Sequence, residues 1–93
     1  MQEYSVEITL NHPDDVLSLF GTNERHLKLI EENLNVIIHA RTERVQILGD
    51  DEESVVLARL TIQALHAVVE RGMLVTTPDA VAALTRAQDG QLD

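Results

Sequence analysis

The hydrophobic period of this chain changes from two to between three and four, returns to two, and lengthens again, and that alternation constrains its fold more than any single motif does. Val6, Ile8 and Leu10 alternate with Glu7 and Thr9 over Ser5 to Leu10, which is the pattern of a half-buried strand. Asn11 or His12 can cap a following helix, Pro13 suits its first position, and Asp14 and Asp15 favour the positive end of its dipole. Val16, Leu17, Leu19 and Phe20 make that helix short and apolar, with Phe20 read as a core residue. Gly21 ends it, because glycine takes the left-handed conformation that closes a helix. Thr22 or Asn23 can cap a second helix, in which Leu27, Ile30 and Leu34 recur at helical spacing while Lys28, Glu31 and Glu32 face outward. Asn33 or Asn35 stops it, since asparagine tolerates left-handed dihedrals.

Val36 to Ala40 then reads as a β-branched strand, Arg41-Thr42-Glu43 as a short polar connection, and Val45 and Ile47 as the buried positions of a third strand that Gly49 closes. Asp50 to Glu53 is the acidic first turn of a long helix with a wide apolar stripe through Val55, Ala58, Ile62, Leu65 and Val69, terminated by Arg71 and Gly72. A last short helix has Thr77 as cap, Pro78 as first residue, Val81 and Leu84 on its apolar side, and an end near Gly90. The expectation is an α+β domain over residues 1–72, with a small antiparallel or mixed three-stranded sheet packed on helices. Residues 73–93 add a short C-terminal helix leading to a linker.

Length and composition bound the function. Ninety-three residues allow one compact domain. The absence of cysteine removes disulfide frameworks, thiolate nucleophiles and Cys-based metal sites, and is compatible with a reducing cytoplasm. No apolar run approaches the ~18 residues of a membrane span, and no signal peptide is visible, so a cytoplasmic location without membrane contact is expected. His12, His26, His39 and His66 form no i, i+4 pair and have no cysteine to complete a zinc site, which leaves them structural or surface roles. Asp50 to Glu53 lacks the alternation of a calcium loop, and Ser5, Ser18 and Ser54 stand in no G-x-S-x-G motif.

The net charge of −9 argues against nonspecific nucleic-acid binding by the whole surface. It is unevenly spread: residues 1–20 carry −4, residues 21–48 are neutral, and residues 49–93 carry −5. The neutral stretch holds four of the seven basic residues, Arg25, Lys28, Arg41 and Arg44. They read either as ordinary solvated side chains with weak ion pairs, or as a local anion-facing edge. Arg25 and Lys28 lie in the first turns of the second helix, where free N–H groups can also receive a phosphate.

The stretch from Phe20 through Gly21-Thr22-Asn23-Glu24-Arg25-His26-Leu27-Lys28-Leu29-Ile30-Glu31-Glu32-Asn33 to Val36, followed by Val45-Gln46-Ile47-Leu48-Gly49-Asp50, resembles the N-terminal region of PhoH-like proteins, bacterial P-loop ATPases linked to RNA metabolism. The same stretch resembles a KH RNA-binding domain of type I order β-α-α-β-β-α, in which a strand and helix lead into a G-x-x-G loop. The resemblance covers nearly the whole chain and extends to the helix over Thr77 to Gln88. It implies that Gly21, Thr22, Asn23 and Glu24 form the loop, with Arg25, Lys28, Arg41 and Arg44 as phosphate contacts. Two departures stand out. Glu24 puts a side chain and a negative charge at the second glycine position. No G-x-x-x-x-G-K-[ST] motif occurs, and Lys28 is the sole lysine, so this chain is expected not to be an enzyme and to carry no cofactor. ATP and magnesium are expected only in an ATPase domain beyond it.

The expected function is therefore RNA binding or RNA presentation within a PhoH-like ATPase. The partners are single-stranded RNA held weakly, the parent ATPase domain, and a homo-oligomer formed through the parent protein. The alternative is a KH-fold module for protein interaction or oligomerisation without appreciable RNA affinity, favoured by Glu24, the acidic balance and a count of aromatics limited to Tyr4 and Phe20.

Overall fold

The computed structural model describes residues 3–10, 15–21, 24–41 and 43–90. The elements come in the expected order: β1 (Tyr4–Thr9), α1 (Asp15–Phe20), α2 (Arg25–Leu34), β2 (Ile37–Arg41), β3 (Arg44–Gly49), α3 (Glu52–Glu70) and α4 (Thr77–Gln88). The capping roles read for Asn11, His12 and Pro13 lie outside the described residues. The fold is α+β. Its β-α-α-β-β-α order with one added helix is compatible with a small KH-like domain. The sheet is antiparallel throughout, in the spatial order β1-β3-β2.

Alternation decides which face of the sheet is buried. Ile8 on β1, Val45 and Ile47 on β3 and Ile38 on β2 share the side that the helices cover, while Glu7, Gln46 and His39 stand in register on the other. α3 packs against β1, β3, α1, α2 and α4, and its Val55, Ala58, Ile62 and Leu65 are fully buried. Phe20 is inaccessible to solvent, as a core residue should be. Asp51 caps α3 by accepting from the Glu53 N–H at 3.3 Å, and Arg71 and Gly72 close it, Gly72 at a φ of 77°. α2 ends at Asn35, a left-handed residue whose N–H donates to the Glu31 carbonyl.

Three local expectations need correction. Glu31 does not simply face solvent: its carboxylate accepts the Ile38 N–H at 2.7 Å and so occupies a donor on the outer edge of β2. α4 is capped by Thr76 rather than Thr77, because Asp79 sits three residues after Thr76 and completes a reciprocal capping box. The buried side of α4 is Ala80, Ala83, Leu84 and Ala87, and Val81 is exposed. Alanines on that side let α4 lie close on α3, an approach that a valine stripe would hold off.

Gly49 ends β3 where the sheet turns into α3, and a methyl group there would lie 2.9 Å from Val55 Cγ2 and 3.2 Å from Val36 Cγ1. Both neighbours are β-branched and buried, so neither yields cheaply. Gly49→Ala is expected to lower unfolding free energy by about 1–3 kcal/mol, the usual cost of overpacking, with the urea midpoint as the readout. A second outcome concerns Asp79. The backbone N–H of Thr76, and next its hydroxyl, donate to the Asp79 carboxylate at 3.0 and 2.9 Å and hold its pKa below the ordinary aspartate range, with His26 adding a smaller electrostatic contribution. A depressed folded-state pKa stabilises above the ordinary value, about 4, and the contribution is lost as pH falls through the lowered one. Carboxyl-detected NMR should find Asp79 titrating below other exposed aspartates, and Asp79→Ala should remove that part of the acid limb.

Candidate nucleic-acid interface

The connection between α1 and α2 is a four-residue turn closed by a hydrogen bond from the Glu24 N–H to the Gly21 carbonyl at 3.2 Å. Both ends are left-handed, Gly21 at a φ of 75° and Glu24 at 55°. Thr22 and Asn23, which complete the predicted loop, lie outside the described residues. For Gly21 this backbone is free of penalty, whereas for Glu24 the Cβ meets its own carbonyl and costs roughly 1–2 kcal/mol. The chain thus keeps a glycine-type conformation at the position where the G-x-x-G pattern has lost its glycine.

His26 explains why the turn holds. Its ring is 3% exposed, and its Nδ1 lies 3.0 Å from the Leu19 carbonyl oxygen. A carbonyl can only accept, so Nδ1 carries the proton. Nε2 faces the Thr77 hydroxyl on α4 at 3.4 Å. A Cβ on Gly21 would fall 3.2 Å from His26 Cε1, so the turn rests directly on the imidazole. His26 takes the structural role that the sequence allows it, but no motif or charge pattern marks its contact with the turn. The available signal was its spacing: it precedes Ile30 and Leu34 by four and eight, on the buried side of α2.

Glu24 stands at the N-cap of α2 with no side-chain hydrogen bond to the helix, and no acidic residue occupies the first turn. The positive end of α2 is therefore uncapped by any side chain among the described residues. Arg25 and Lys28, three positions apart and exposed, flank it.

Arg41 and Arg44 sit elsewhere. They face each other across the β2–β3 hairpin and point to the sheet side away from the helices. There they line a shallow depression with Glu7, His39, Glu43, Gln46 and Leu48. Among the described residues neither arginine makes a side-chain hydrogen bond or ion pair. The predicted set thus divides: Gly21, Glu24, Arg25 and Lys28 gather at one end of α2, and Arg41 and Arg44 lie in a different layer. Among the described residues no group of three His, Asp or Glu side chains could hold a metal ion, and no helix is long and apolar enough to cross a membrane.

No family model matches the chain, and no solved structure matches it significantly. It is similar to a PhoH-like protein of Bacillus subtilis (strain 168), with 36% identity over 84 residues. The match covers 90% of this chain and 26% of that protein, so the chain spans about a quarter of the length of the curated relative it matches.

Relief of the strain at Glu24 is measurable without any ligand. Glu24→Gly is expected to raise unfolding free energy by about 1 kcal/mol, less what glycine adds to the entropy of the unfolded chain, and Glu24→Ala should show no such gain. Denaturant unfolding of the two variants checks this.

Proposed function

We propose, from the premise that this chain corresponds to a segment of a PhoH-like protein, that it is an RNA-recognition module. The sugar-phosphate backbone of a short single strand passes over the Gly21–Glu24 turn and the first turn of α2. What carries the reading is the left-handed backbone at both ends of the turn beside an uncapped helix start with two exposed cations. Phosphate oxygens accept from the open N–H groups, and Arg25 and Lys28 neutralise charge. Thr22 and Asn23 complete the loop in this reading. Arg41 and Arg44, on the open face of the sheet, lie outside this contact and are reached only by a strand that continues round β2. The P-loop chemistry implied by the family resemblance needs residues that this chain lacks, so its part is to hold RNA rather than to hydrolyse ATP.

Binding of this kind is weak and salt-sensitive. With two phosphates neutralised on a single strand, affinity falls about sevenfold between 50 and 200 mM salt. Glu24 opposes it, and with Phe20 buried no aromatic platform lies at the turn. A specific observation favours the second reading, a protein-interaction module: Leu74 is 82% exposed next to exposed Met73 in the α3–α4 connection.

Titration of a short single-stranded RNA at about 50 mM salt, followed by amide shifts, separates the two. Shifts centred on Gly21 and Glu24–Lys28, lost in Arg25→Glu/Lys28→Glu and strengthened in Glu24→Gly, are the expected result. A silent turn overturns the RNA reading, and self-association in sedimentation that Leu74→Glu abolishes supports the second.

A further inference from the structure

The open face of the sheet has an order that the solvated side of a small domain does not need. Its side chains form three rows across the strands, set by the register: Thr9, Arg44 and Arg41 at one end, Glu7, Gln46 and His39 in the middle, and Ser5, Leu48 and Ile37 at the other. The first row holds both arginines, the second carries hydrogen-bonding groups, and the third sets apolar Leu48 and Ile37 beside Ser5, whose hydroxyl accepts from Gln46 Nε2 at 3.5 Å; Ile37 is more than half exposed. Rows two residues apart on a strand are separated by about 6.6 Å, so the basic and apolar ends are about 13 Å apart.

Arg41 and Arg44 are the clearest sign of a ligand. Directly opposed residues on an antiparallel pair hold their Cβ atoms about 5 Å apart, and like charges so placed destabilise a sheet. Here neither guanidinium has a carboxylate ion pair among the described residues, although Glu7 and Glu43 line the same depression. A doubly charged phosphate monoester between the two arginines turns that repulsion into two charge-assisted hydrogen-bonded contacts.

We infer that this face binds a terminal nucleotide: a phosphate monoester on Arg41 and Arg44, the sugar and polar groups over His39 and Gln46, and the heterocycle on Leu48 and Ile37. The carboxylates select the same class. Glu7 lies in the middle row, within the span of ligand hydroxyls, and with Glu43 it leaves the face neutral, which disfavours a long polyanion and tolerates one phosphate group. This inference stands apart from the loop reading, since it uses the other side of the sheet. A free mononucleotide and the 5′-phosphorylated end of an RNA present the same chemistry.

Three probes test it by NMR: adenosine 5′-monophosphate, inorganic phosphate, and a short RNA with and without a 5′-phosphate. Adenosine 5′-monophosphate at millimolar concentration should shift His39, Gln46 and Leu48, bind more tightly than inorganic phosphate, and lose at least tenfold in affinity in Arg41→Gln/Arg44→Gln. That double variant removes the opposed charges, so it should be at least as stable as the parent, and lost binding then cannot be ascribed to unfolding. A preference for the 5′-phosphorylated RNA over the free nucleotide assigns the face to RNA ends, and the reverse order assigns it to free nucleotides. Shifts confined to Gly21–Lys28, binding unchanged in the double variant, or phosphate binding as tightly as the nucleotide overturns the inference. Arg25→Glu/Lys28→Glu should leave the sheet-face shifts intact, which keeps failure here distinct from failure of the loop reading.

Discussion

One hydrogen bond inside the domain organises the passage from α1 to α2: His26 Nδ1 to the carbonyl of Leu19. Leu19 lies at the end of α1, where the last carbonyls of a helix have no partner within the helix. A leucine or phenylalanine at position 26 would fill the space but leave that carbonyl buried and unpaired, at a cost of about 1–3 kcal/mol. Imidazole satisfies the acceptor while presenting a flat ring on which the chain can reverse. Gly21 rests on that ring because it has no Cβ, and the left-handed turn to Glu24 follows from the contact. The far nitrogen reaches toward Thr77, so the same side chain relates the turn to the start of α4. Core packing and loop shape are thus one problem solved at one residue.

The rest of the core isolates this corner from the sheet. α3 covers the inner face of the sheet and touches every other helix, and Gly49 lets β3 run close against Val55 at its start. The outer edge of β2 is partly closed by the Glu31 carboxylate on the Ile38 N–H, which spends a donor that a further strand would otherwise use. The four cations thus fall into two separate pairs rather than one continuous basic groove, and Glu7 and Glu43 balance the hairpin pair.

Much of the fold was legible because burial imposes periods that the side chains cannot disguise. Val6, Ile8, Val45 and Ile47 mark strands by their alternation, and Leu27, Ile30 and Leu34 mark a helix by theirs. The phase of a short element is less well determined. In α4 a one-residue shift of the cap, from Thr77 to Thr76, hinges on the reach of Asp79, and no pattern of apolar residues reports that reach. The candidate site was legible in composition and not in placement. Segmental charge brings Arg25, Lys28, Arg41 and Arg44 into one neutral stretch, but pleating sends the two hairpin arginines outward once Val45 and Ile47 point inward. That parity is present in the sequence, and combining it with the charge count would have separated the pairs. His26 was harder to see, because a buried histidine differs from an exposed one through its acceptor, and Leu19 supplies that acceptor from a backbone group seven residues away.

The acidic balance acquires a different meaning from this placement. Glu52 and Glu53 lie in the first turn of α3, Asp51 caps it, Asp79 serves the cap of α4, and Glu31 bonds a strand edge. Three of these carboxylates, Asp51, Asp79 and Glu31, are thus bonded to local backbone groups, and their charge still repels an approaching anion within a Debye length, about 8–10 Å, beyond which salt screens it. A polyanion approaching the whole surface meets that repulsion. A ligand confined to either pair of cations meets only the nearest carboxylates, Glu24 at the start of α2 or Glu7 and Glu43 on the sheet face. The net charge thus weighs against a long polyanion, and an anion contact at either proposed place is short-ranged and salt-dependent.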